Sequence, residues 1–149
     1  MLHPYDRCMC ITSLYVLLAA SYVKVPYMCS AMVATTLASI LHWLHYDNKV
    51  FHLADNVLSA GVFIWNGCVL FFSWSEQSPY AAASAATSML LFQTRVGFRE
   101  KALQKYRLVY VLPHTGFRFF AFWFVMLSHG QAWSARLSLC YWLSVLLFS

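Results

Sequence analysis

Six apolar segments alternate with short polar stretches along the chain. An α-helix needs roughly 20 residues to cross a hydrocarbon core about 30 Å thick, and the first of these segments is barely long enough. We place these segments at residues 9–23, 26–46, 50–74, 79–94, 107–128 and 132–148. The pattern predicts an all-α fold, a polytopic transmembrane helix bundle of about six spans. The chain is long enough for a single integral membrane domain, which we assign to residues 1–149.

The composition supports the membrane assignment. Hydrophobic residues make up 61% of the chain and charged residues 10%, whereas about 25% of the residues in a soluble domain are charged. The net charge of +5 comes from basic residues that lie between apolar segments, which is a topology signal and excludes a nucleic-acid-binding role. The five cysteines are spread among apolar residues and are read as buried thiols, without a disulfide framework. A Cys-x-Cys metal site at Cys8 and Cys10 is the alternative.

One polar stretch predicts the orientation in the membrane. Residues 95–107, "RVGFREKALQKYR", contain five of the ten Lys and Arg residues, and such a concentration is typical of a cytoplasmic loop. Because successive spans cross the membrane in opposite directions, this stretch places both termini in the cytoplasm. Arg7 then lies on the cytoplasmic side, as expected for a basic residue, whereas Lys24 lies on the outer side. The N-terminal apolar run has neither a basic leader nor a small-residue cleavage site, so we expect a retained helix. The organelle is not indicated.

Residues 79–94 differ in composition from the other segments. They begin "YAAASAATSMLL", and small and hydroxyl-bearing residues permit close approach and hydrogen bonds between helices in a membrane. We therefore expect a packing helix at the centre of the bundle.

Residues 39–56, "SILHWLHYDNKVFHLADN", concentrate polar groups within apolar surroundings. We assign His45 and His52 to the aqueous turn between two spans, whereas His42 and Asp55 lie roughly 5 to 8 Å inside the cytoplasmic boundary. His114 enters from the same side to about 10 Å, and Arg118 lies one turn further. A charged side chain that faces lipid at such depth costs at least about 2.5 to 3.5 kcal/mol, so we expect these groups to face one another or a wet cavity.

Three kinds of site are compatible with these groups. Two imidazoles and a carboxylate suit Zn²⁺, which lowers the pKa of a bound water to about 7 in hydrolytic sites. Two histidines on facing helices could instead ligate a haem or a pigment. The third alternative is a structural network in which Asp55 and Arg118 form an ion pair and His114 satisfies a hydrogen bond.

The arrangement resembles the CREST superfamily of membrane hydrolases, which includes alkaline ceramidases, PAQR receptors, GPI-lipid remodelling proteins and myomaker-like proteins. Its pattern is Ser-x3-His on one helix, an Asp early in the next, and His-x3-His on a late helix. "SILH" supplies Ser39 and His42, "HLADN" supplies Asp55, and "HTGFR" supplies His114 and Arg118. The serine is one residue closer to the histidine than in the family, an arginine replaces the last histidine, and the chain has room for six spans where the family has seven.

The resemblance implies roles for these residues. His42 and His114 would hold Zn²⁺, Asp55 would orient or deprotonate the metal-bound water, and Ser39 would assist the oxyanion. In a degenerate member, Arg118 would form a salt bridge with Asp55 in place of the metal.

Two functions follow as expectations. The first is a multi-pass membrane protein related to metal-dependent amide or ester hydrolases of membrane lipids, either active or catalytically degenerate. The alternative is a small non-catalytic subunit of a larger membrane protein complex, held by its aromatic faces and the Ala-rich helix.

Overall fold

The computed structural model describes residues 4–22, 25–45, 47–102, 107–129 and 135–148, and within them the chain is helical with no strand. The helices are α1 (Pro4–Tyr22), α2 (Pro26–Leu44), α3 (Lys49–Phe72), α4 (Ser78–Ala102), α5 (Arg107–Ser128) and α6 (Ala135–Phe148). The all-α prediction is confirmed, and each predicted segment corresponds to one helix.

Two helix boundaries differ clearly from the prediction. Helix α1 begins at Pro4, five residues before the predicted start, because proline is favoured in the first turn of a helix, where its missing N–H has no partner to lose. Helix α4 continues to Ala102, beyond the predicted end at residue 94, into the basic stretch that we read as a loop. Ala, Arg, Lys and Glu are good helix formers, so a charged sequence there does not end the helix.

Helices α2 and α3 have recognisable starts. Pro26 occupies the first turn of α2, where its fixed φ angle suits a helix. Asn48 precedes α3, and its side-chain oxygen accepts a hydrogen bond from the backbone N–H of Val50 at 2.9 Å, as an N-cap residue does. A tight connection between two antiparallel helices results.

Within the described parts of the chain, three helices are long and apolar enough to cross a membrane: Pro26–Leu44, Lys49–Phe72 and Val111–Ser128. This finding is consistent with a membrane protein, although fewer helices qualify than the six spans expected. Helix α6 has only 14 residues, and α4 combines small polar residues with a basic end, which lowers its hydropathy.

Helix α5 lies at the centre of the described bundle. It contributes to a large buried cluster with α1, α2 and α6, which includes Met9, Met32, Phe122 and Tyr141. It also contributes Phe124 and Leu127 to a second cluster with Ala81 of α4. The central position that we assigned to the Ala-rich helix therefore belongs to α5, because α5 packs against α1, α3 and α4, whereas α4 packs mainly along α5.

The Ala-rich helix α4 nevertheless packs closely along α5, as its composition predicts. Ser88 of α4 donates a hydrogen bond to the carbonyl oxygen of Phe117 at 3.1 Å. A Cβ atom added at Gly116 would lie only 3.0 Å from a terminal methyl of Leu91. Small residues on both helices thus allow this approach.

Candidate functional site

Arg118 lies in the interior where α1, α2 and α5 meet, with 7% of its surface exposed. Its Nη1 atom donates hydrogen bonds to the carbonyl oxygen of Met9 and to the hydroxyl of Thr12, the latter at 2.8 Å. Its Nη2 atom donates to the hydroxyl of Ser39 at 2.7 Å. One guanidinium on α5 therefore joins the first two helices, α1 and α2.

Helix α1 presents its polar atoms to Arg118 through local hydrogen bonds. The hydroxyls of Thr12 and Ser13 both donate back to the carbonyl oxygen of Met9, at 3.1 and 2.8 Å. These bonds fix the two hydroxyl groups on the inner face of α1. The lone pairs of Thr12 then face the guanidinium, and Ser13 lies 3.4 Å from the hydroxyl of Ser39.

The partners of the Arg118 guanidinium described above are neutral oxygens. A guanidinium stays charged in proteins and cannot lower its burial cost by losing a proton. Hydrogen bonds to a charged group contribute about 1.5 to 3 kcal/mol each, and an unsatisfied one leaves a larger penalty. The guanidinium also lies 6.0 Å from the centroid of the Trp43 ring, at the limit of a cation–π contact. These contacts join three helices, and we refer to Arg118 with its acceptors on Met9, Thr12 and Ser39 as the structural clip.

His42 and His114 both contact the ring of Trp43. Both imidazoles are buried. Their ring centroids lie 4.9 and 5.2 Å from that of Trp43. His42 also contacts His52 of α3 at 4.8 Å between centroids, edge to face. The indole ring of Trp43 therefore contacts both imidazoles.

Asp55 does not join this group through a polar contact. It is half-buried on α3, and the ion pair with Arg118 that we expected is not among the contacts of the described residues. The Arg118 nitrogen atoms donate to Thr12 of α1 and Ser39 of α2. Asp55 instead lies on α3, which packs against α2 and α5.

The described residues do not fit the expected zinc site. A catalytic zinc needs three protein ligands, and no group of three His, Cys, Asp or Glu side chains among the described residues could hold a metal ion. Arg118 stands where the resemblance would place the third ligand, and its guanidinium has no lone pair to offer. The hydroxyl of Ser39 accepts a hydrogen bond from Arg118, so its oxygen takes part in a structural contact between α2 and α5.

Helix α6 is tied to the same region by two tyrosine hydroxyls. Tyr141, which is fully buried, donates to the carbonyl oxygen of Thr115 at 2.7 Å. Tyr15 of α1 donates to the carbonyl oxygen of Cys140 at 2.9 Å, and the two tyrosine rings contact edge to face. Four helices thus share hydrogen bonds around Arg118.

Sequence reasoning identified Ser39, His42, His114 and Arg118 but missed several partners. Thr12 and Ser13 form a hydroxyl pair inside an apolar run, and that pair is the signal that could have indicated a polar inner face. His52, which we assigned to the aqueous turn, contacts buried His42 instead.

No protein-family model, curated protein or solved structure matches this chain. The likeness to the CREST superfamily accordingly depends only on the residues named above.

Proposed function

We propose that this protein is a multi-pass membrane protein with a non-catalytic role, as a small subunit of a larger membrane assembly. All six helices cross the bilayer, and both termini lie in the cytoplasm. The CREST-like residues persist in it as structural groups.

The membrane placement is supported by length and charge. The three candidate spans include α3, whose 24 residues extend about 36 Å, enough for a core of about 30 Å. Helix α6, with 14 residues, extends about 21 Å, and a span this short requires local thinning of the bilayer. The basic stretch at residues 95–107 supports the cytoplasmic assignment.

The observation that carries the non-catalytic role is the bonding of Arg118. Its guanidinium occupies the interior of the bundle and engages Ser39, the serine to which the resemblance assigns oxyanion assistance. A group that joins α1, α2 and α5 by hydrogen bonds stabilises the fold, and a guanidinium offers neither a nucleophile nor a metal ligand at that position.

The test is purification of the intact protein in mild detergent, followed by native electrophoresis with an unfolding assay. We expect co-migration with a larger complex, and we expect a His42→Gln, His114→Gln double variant to assemble as the wild type does. Arg118→Leu should reduce assembly, because it removes the clip. A purified single chain that hydrolyses lipid amides or esters, with turnover abolished by His42→Gln, would overturn the proposal.

Lipid hydrolysis is the second candidate function, and one observation favours it. Ser39 and His42 on α2 and His114 on α5 are all buried, and both histidine rings contact Trp43; the resemblance assigns catalytic and metal-binding roles to these three residues. The experiment is an assay of the purified protein against ceramides and phospholipids, with metal analysis of the same sample. Protein that binds no zinc and releases no fatty acid rules this candidate out.

A further inference from the structure

We infer that two copies of this chain associate in the membrane through the outward face of α3. This outer face consists of Leu53, Asn56, Ala60, Ile64, Gly67 and Phe71. The inference depends on the membrane placement proposed above, and it names a partner for a helix that the rest of the bundle barely covers.

Helix α3 is the most exposed of the candidate spans. The structure describes every residue of α3, and Asn66 is the only one of them that is buried. Leu53, Ile64 and Phe71 on the outer face are 64%, 67% and 78% exposed. The residues of this face follow one another at intervals of three and four, so they form one stripe along the helix.

Asn56 distinguishes this stripe from a face that lipid alone would cover. It is exposed and lies about 10 Å along the helix from its start at Lys49. Its Nδ2 atom is 3.1 Å from Nδ1 of His52, a bond that uses one of its two N–H groups. The described residues provide no further hydrogen bond for the remaining N–H group or the Oδ1 carbonyl of this exposed side chain, and lipid tails provide none for either.

The chemistry of this amide fits a second copy. Copies inserted by the same machinery have the same orientation, so a two-fold axis along the membrane normal brings each Asn56 to the depth of its counterpart. An amide carries a donor and an acceptor and can pair with itself, unlike a carboxylate or an ammonium group. Asparagine side chains join transmembrane helices in this way.

The outer face also permits close approach. Ala60 and Gly67 lie seven residues apart on the stripe, so these two small residues fall on the same side of the helix. A Cβ atom built on Gly67 would meet nothing within 4 Å. The partner helix can therefore come close at both levels.

The experiment measures energy transfer between copies of the full chain in lipid vesicles. One population carries a donor fluorophore at its N-terminus and the other an acceptor. We expect transfer above the level of random proximity. Asn56→Leu and Ala60→Leu should each lower the association constant by about threefold or more, as loss of an interhelical hydrogen bond or of a close contact does. Ala86→Leu, at an exposed position on α4, is the matched control and should leave association unchanged.

Two results would overturn the inference. Wild-type transfer at the random level would show that lipid or another protein covers α3. Equal transfer in the wild type and both α3 variants, or equal loss in Ala86→Leu, would place the contact elsewhere. Extraction of the same vesicles with alkaline carbonate keeps the two proposals separate: release of the chain contradicts the membrane placement, whereas a retained chain without transfer contradicts only the pairing.

Discussion

The Nη2 atom of Arg118 lies 2.7 Å from the hydroxyl oxygen of Ser39, so that α5 is joined to α2 across 79 residues of sequence. The same guanidinium donates to Met9 and Thr12 of α1. In the sequence, Arg118 occupies the position of a metal ligand in the family that the chain resembles. In the structure, its guanidinium forms the polar contact among three helices.

Replacement of Arg118 by lysine should destabilise the fold even though the charge is kept. An ammonium group on a flexible stem cannot reach the acceptors on α1 and α2 together, whereas the planar guanidinium does. We expect Arg118→Lys to lower the free energy of unfolding by about 1 to 3 kcal/mol, measured by denaturant titration in micelles. Arg7→Lys, at an exposed position on α1, is the control. Equal stability of Arg118→Lys and the wild type would show that the fork geometry is unimportant.

Removal of the Tyr141 hydroxyl should weaken the attachment of α6. The hydroxyl donates to the Thr115 carbonyl oxygen in a fully buried setting. Tyr141→Phe should cost about 0.5 to 1.5 kcal/mol of the free energy of unfolding. Tyr80→Phe, at a position that is 68% exposed, should have little effect. A Tyr141→Phe variant as stable as this control would contradict the assigned bond.

A larger side chain at Gly116 should separate α4 from α5. A Cβ atom there would lie 3.0 Å from a methyl carbon of Leu91, and the further atoms of a leucine would have no space. Gly116→Leu should destabilise the fold by about 1 to 3 kcal/mol. At Gly61 a Cβ atom meets nothing within 4 Å, so Gly61→Leu serves as the control. Thermal unfolding compares the two, and a greater loss in Gly61→Leu would be inconsistent with the packing described.

Stability should decline in acid because of His129, which follows the last residue of α5. Burial lowers the pKa of this imidazole below its ordinary value, so the folded state binds its proton less readily than the unfolded state. The contribution of the neutral ring is complete above the unfolded pKa of about 6.5 and is lost as the pH falls through the folded pKa. His129→Gln should flatten this part of the stability profile, measured between about pH 7 and pH 5. His45→Gln, at an exposed position, should leave it unchanged, and an identical profile in wild type and His129→Gln would remove His129 as the cause.

The sequence predicted the number and approximate positions of the helices because each apolar run is long and is interrupted by charge or proline. The apolar run predicted at residues 107–128 corresponds to α5, whose bounds are Arg107–Ser128. The end of α4 was missed, since a charged stretch of good helix formers has the same composition whether it is a loop or a helix.

The site was predictable only in part. The fixed rise per residue along a helix predicts similar depths for His42 and His114, and in the structure both rings contact Trp43. The choice between Asp55 and Ser39 as the partner of Arg118 depends on which faces of α1, α2 and α3 meet α5. Residue spacing within one helix carries no information about that choice, so the acceptors on α1 were not foreseen.

A double-mutant cycle between Arg118 and Ser39 tests the central claim most directly. The free energy of unfolding is measured for the wild type, Arg118→Met, Ser39→Ala and the double variant, because the cycle isolates the pairwise term from the cost of each truncation. We predict a coupling energy of about 1 to 3 kcal/mol, typical of a buried hydrogen bond to a charged group. Strictly additive changes, with no coupling between the two residues, would contradict the structural clip.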